Sequence, residues 1–110
     1  MSKEASQLDK FTELIKAINK RPGMYHVSRV EDYELIFIGF RFSWNDKSVD
    51  EFIQEFDLWV GKKWENLSAY GWSKLIRLNC GGDSHSLELF SKLFNEYLNE
   101  VGDDGGSPTN

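Results

Sequence analysis

Apolar residues recur at helical spacing through most of the chain. Leu8, Phe11, Leu14, Ile15 and Ile18 fall on one side of a helix, and Asp9, Lys10, Glu13, Lys16 and Lys20 fall on the other. Pro22 ends this helix, because the residue before a proline is pushed toward extended geometry, and Arg21–Tyr25 reads as a turn or loop. Ser48-Val49-Asp50-Glu51 has the spacing of a capping box. Behind it Val49, Phe52, Ile53, Phe56, Trp59 and Val60 share one arc of about 120°, which predicts a helix from Val49 to about Lys63. Leu67, Tyr70, Trp72, Leu75, Ile76 and Leu78 suggest a further helix ending near Cys80, weakened by Gly71. Gly81-Gly82 is a stop signal, and Asp83 or Ser84 can cap the helix that follows. That last helix carries Leu87, Phe90, Leu93, Phe94, Tyr97, Leu98 and Val101 on one broad face.

The stretch from Arg29 to Ser43 admits two readings. Ser28-Arg29-Val30-Glu31 has capping-box spacing and favours a helix start. Leu35-Ile36-Phe37-Ile38-Gly39-Phe40 is aromatic and β-branched, and reads equally well as a buried strand. The expectation is a helix buried nearly all round, within an all-α bundle of four to five helices. An α+β fold is the alternative if residues 30–43 form strands. A single domain is expected over residues 1–101. Residues 102–110 offer nothing apolar to bury and read as a disordered tail.

Composition narrows the function. With 110 residues there is room for one domain, and 40% hydrophobic residues supply one core. Lys and Arg number 13 against 18 Asp and Glu, a net charge of −5, which argues against direct nucleic-acid binding and suits a basic protein partner. The apolar runs are far too short for a bilayer span. The polar start Met1–Ala5 shows no signal peptide, and a single cysteine fits a reducing compartment, so a cytoplasmic protein is expected.

Candidate chemistry is thin. His26 and His85 are far apart and Cys80 stands alone, so neither a metal site nor a cofactor is expected. Ser84 beside His85 lacks the strand–turn–helix setting of a nucleophile elbow and reads as part of a helix N-terminus. Cys80 reads as inert, and Gly81-Gly82 lacks the Lys-Ser/Thr of a phosphate loop. Most aromatic residues occupy core positions, with Trp44 and Trp64 at loop positions as exceptions.

One side of the third predicted helix points outward. Around the helix from Phe52, Leu58, Glu51 and Glu55 lie on one outer sector, Leu58 nearest to Glu51, and Asp57 lies on the other side of Leu58. Leu58 is therefore framed by carboxylates away from the apolar arc. An apolar anchor with acidic flanks suits a basic protein. Asp50, Glu51, Glu55, Asp57 and Leu58 are the first candidates for a partner surface, and Glu31, Asp32 and Glu34 the second. Asp103 and Asp104 form a third acidic group.

Two resemblances bear on function. Lys20–Tyr25 resembles a six-residue stretch of type II topoisomerase ATPase subunits, but the Asn-bearing helix, Asp-x-Gly motif and glycine-rich lid of that family have no counterpart here. Over residues 8–101 the chain resembles small bacterial immunity proteins of toxin–immunity pairs, including contact-dependent growth inhibition systems. The resemblance rests on Arg21-Pro22-Gly23-Met24-Tyr25, on Gly39-Phe40, and on Phe52, Phe56, Trp59 and Val60. It also includes Trp72 with Ile76 and Phe90 with Phe94. It implies a helical segment over 29–43, no catalytic residue, and a 1:1 complex of a monomer with the C-terminal domain of a cognate toxin. Many such toxins are nucleases, whose surfaces are basic because they attract phosphates. A small cytoplasmic adaptor that binds other proteins is the alternative.

Overall fold

The computed structural model describes residues 6–64 and 71–105. Among them the chain forms α1 (Gln7–Lys20), a 3-10 turn (Pro22–Tyr25), α2 (Val30–Trp44), α3 (Lys47–Lys63), α4 (Trp72–Leu78) and α5 (Asp83–Gly105), and no strand. The all-α reading holds, and the strand alternative for residues 30–43 is set aside by α2. Leu67 and Tyr70 lie outside the described residues. The last helix runs to Gly105, past the Val101 boundary expected, and residues 106–110 lie outside the described residues.

The helix starts are made by other residues than the Ser-x-x-Glu spacing suggested. Asp32, not Glu31, closes the start of α2: its carboxylate accepts from the Ser28 and Arg29 backbone N–H groups at 2.8 and 3.3 Å. Asp46, not Ser48, caps α3, accepting from the Ser48 and Val49 N–H groups at 2.8 and 3.2 Å. A carboxylate near a helix N-terminus satisfies orphan donors and faces the positive end of the dipole, so Asp outcompetes Ser when both are in reach. The Ser48 hydroxyl and these two amides hold the Asp46 carboxyl below its ordinary range. Asp83 opens α5 but turns its side chain to Arg77. Asn45 ends α2 in the left-handed conformation that Asn tolerates well, its N–H returning to the Arg41 carbonyl.

The core is built of rings. Phe11 of α1 meets Phe37 and Phe40 of α2 and Phe52 of α3 edge-on, at centroid separations of 5.1, 5.1 and 5.8 Å. Phe37 also touches Trp72 of α4 and Phe90 of α5. Phe56 on α3, fully buried, faces Phe37, Trp72, Phe90, Phe94 and Tyr97 from three other helices. Edge-to-face pairs add a little beyond area burial. They also fill the space without polar atoms that would need partners.

Polar ties fix how the helices sit on this core. The buried Ser86 hydroxyl accepts from the Val30 N–H at 3.0 Å and donates to the Asp83 carbonyl at 2.6 Å. It thereby satisfies, from α5, a donor at the start of α2 that the helix leaves orphaned. The Asp57 carboxylate of α3 does the same for α4, accepting from the Trp72 N–H at 2.7 Å. The seven-residue α4 is too short to form alone and takes its shape from such contacts.

The expectation for α2 needs one correction. Val30, Tyr33 and Phe37 are buried, but the helix is not covered all round. Leu35, Ile38 and Phe42 are exposed to 66%, 41% and 84%. An apolar excess in the sequence reads as burial on every side, yet this helix packs on one side only.

Candidate functional site

The eight candidate residues separate into two sets once the helices are packed. Glu31, Asp32, Glu34, Asp50 and Asp57 are engaged within the chain. Glu31 accepts two hydrogen bonds from the Arg77 guanidinium, at 2.9 and 2.7 Å, and Asp83 shares the same guanidinium at 2.9 Å. Asp32 is the α2 cap just described. Glu34 accepts from the Ser73 hydroxyl at 2.6 Å, and Asp50 from Arg41 Nε at 2.7 Å. Asp57 holds α4, and burial pushes its carboxyl above the ordinary range, against the pull of the Trp72 amide. The acidic count of the sequence therefore overstates the free acidic surface, because acids also serve as caps and helix-to-helix ties.

Glu51, Glu55 and Leu58 remain, and they share the outer side of α3. All three are exposed, Leu58 to 68%. Lys47 approaches Glu51 at 3.9 Å, one helical turn away, a solvated pair worth little. Leu58 and Glu55 border an open groove between α3 and α5, continued by Trp59, Lys62, Tyr97, Glu100 and Val101. The Trp59 indole N–H donates to Glu100 at 2.9 Å, and Lys63 lies over the Trp59 ring at 4.9 Å while reaching Glu96 at 3.2 Å. Burial, with the nearby Glu55 charge, raises the Tyr97 hydroxyl above its ordinary range. The groove has an apolar floor of Leu58, Trp59, Tyr97 and Val101 and a rim of mixed charge.

Sequence reading missed Trp59, Tyr97, Glu100 and Val101 as site residues. Trp59 and Val101 sit at the edges of apolar arcs, which is where a half-covered residue belongs. Pairing the two edges into one groove required knowing that α3 lies beside α5.

The other chemistry-bearing residues lie outside this face. The His85 ring accepts from the Gly81 N–H at 2.7 Å through Nδ1. Cys80 is half-buried, with its thiol against the Arg77 carbonyl. Trp44 and Trp64 are half-buried, Trp44 against Phe40. Among the described residues no group of three or more His, Cys, Asp or Glu is placed to hold a metal ion, and no helix is long and apolar enough to cross a membrane. Compared with family models, curated proteins and solved structures, the chain finds no match.

The Arg77 clamp makes one pH dependence readable. Its two hydrogen bonds hold the Glu31 carboxyl at about 2, against an ordinary 4.5. A carboxyl lowered by folding stabilises the fold fully above its unfolded value and gives that up as pH falls through the folded one. The melting temperature should therefore fall between about pH 4.5 and about pH 2, and fall less steeply in Glu31→Gln. Parallel slopes for the two proteins across that window would remove Glu31 from the account.

Proposed function

We propose that this chain is a cytoplasmic, non-catalytic immunity protein. It binds the C-terminal domain of a cognate bacterial toxin, a basic nuclease, and neutralises it by covering its active site or substrate groove. The observation that carries this reading is the outer side of α3, where the exposed Leu58 shares one sector with Glu51 and Glu55 and borders an apolar groove. A desolvated apolar centre holds a complex together, while carboxylates at its rim steer a basic partner in and disfavour wrong ones. The resemblance over residues 8–101 supports the same reading.

The direct test is co-expression with the C-terminal domain of the protein encoded just upstream of this gene. Survival of the cells, with the two chains co-purifying at 1:1, is the expected result, and a nuclease assay on the released partner then names the target. A domain that stays toxic in the presence of this chain, or that is never toxic, overturns the pairing. The weight then passes to the adaptor alternative, in which the aromatic floor of the groove seats a helical or extended peptide segment.

A further inference from the structure

The exposed stripe on α2 is a second surface, separate from the α3–α5 groove. Leu35, Ile38 and Phe42 fall within about 60° of one another around the helix, and Gly39 extends the arc on one side. Gly39 carries no side chain, and nothing lies within 4 Å of where a Cβ would be. A crevice lined by Ile38, Arg41, Phe42, Asn45 and Asp50 opens beside the stripe. Three large apolar side chains on one exposed helix face mark an interaction site more often than an accident.

We propose that this stripe docks a second copy of the chain, α2 against α2 in antiparallel, to give a weak twofold dimer. The argument is how the stripe, and the opposite charges beside it, pair under that twofold axis. Leu35 and Phe42 are equally spaced about a point between Ile38 and Gly39. Reversing the helix direction about that point sets Leu35 opposite Phe42 of the copy, brings the two Ile38 side chains together on one flank, and sets the two Gly39 positions facing each other on the other. An isologous contact sets each residue of the patch against its counterpart in this reciprocal way.

Charge follows the same symmetry. Glu34 and Arg41 flank the stripe on its Ile38 side, seven residues and so about 10 Å apart along the axis. A twofold axis perpendicular to both helices keeps that flank facing itself and reverses its direction. Each Glu34 then meets Arg41 of the copy, twice per dimer. Arg41 holds Asp50 through Nε, one of its five donors, and Glu34 accepts from Ser73 with one oxygen, so both have capacity for a further bond. One helix pair is a contact below the standard interface size, so the dissociation constant should be on the order of 10–100 μM. This proposal does not rest on the immunity reading.

Sedimentation velocity on the full chain, from about 5 μM to about 500 μM, tests it across the affinity expected for so small a contact. The expected result is a shift from monomer to dimer over that range, abolished by Phe42→Glu, a substitution at a residue 84% exposed that leaves the helical circular dichroism unchanged. The register has its own test. Glu34→Arg and Arg41→Glu should each weaken self-association at least tenfold, since each sets like charges opposite one another. Mixed one to one, the two variants should dimerise again, because the swapped charges then pair. A chain monomeric at the highest concentration, a Phe42→Glu dimer, or a mixture that fails to recover each overturns the proposal. If the chain stays monomeric and Phe42→Glu loses protection against the toxin, the stripe belongs to the toxin contact instead.

Discussion

Phe56→Ala will remove a large share of the domain's stability. Phe56 is fully buried, and its ring faces residues of α2, α4 and α5 as well as its own helix. Truncating a buried Phe costs about 3–5 kcal/mol, the lost burial plus the cavity left behind. The upper part of that range applies here, because the walls of the cavity are rigid rings held by four helices and cannot collapse into it. A domain of this size has a total stability of about 5–15 kcal/mol, so the loss is at least about a third of the total. Urea unfolding followed by circular dichroism should show the loss, with a drop in melting temperature of about 15 °C or more. Phe56→Leu, which refills most of the space, should recover more than half of it. A loss below about 1 kcal/mol for Phe56→Ala would mean that the ring cluster is not the centre of the fold.

The Glu51→Lys, Glu55→Lys double variant will bind the toxin domain about 30-fold more weakly, with most of the loss in the association rate. Rim charges act mainly by steering, and reversing two of them changes repulsion as well as attraction, about 2 kcal/mol together. The effect should shrink as salt is raised, since the Debye length falls from about 10 Å at 0.1 M to about 3 Å at 1 M. Leu58→Ala should act on the other rate, speeding dissociation with little change in association, as loss of a central apolar contact does. None of the three residues is packed in the core, so melting temperatures should stay near that of the parent. Affinity unchanged at low salt in the double variant would show that the toxin does not touch this side of α3.

How much of this was legible in the sequence depends on what each residue competes with. The α3 pattern was legible because Val49, Phe52, Ile53, Phe56 and Val60 leave polar residues on the rest of the helix, and all five are buried. The outward placement of Glu51, Glu55 and Leu58 follows from the same periodicity. The α2 stripe was not legible. Leu35, Ile38 and Phe42 are as apolar as the buried Tyr33 and Phe37, and periodicity cannot separate two apolar sides of one helix. The roles of single acids were illegible for another reason. Whether Glu31 faces solvent or Arg77 depends on a contact between residues 46 positions apart. The cap assignments failed more locally, because Asp32 takes the place expected of Glu31, and Asp46 that of Ser48, once the backbone turns.

Interleaving along α3 has a consequence for how such a protein can diversify. The positions that make the core and the positions that face outward alternate on one helix: 49, 52, 53, 56 and 60 inside, 51, 55 and 58 outside. Surface substitutions away from packed features usually change stability by less than about 0.5 kcal/mol. The outer positions can therefore be rewritten one at a time without the fold passing through an unstable intermediate. A lineage could trade one partner for another along α3 while the ring cluster beneath it is inherited unchanged.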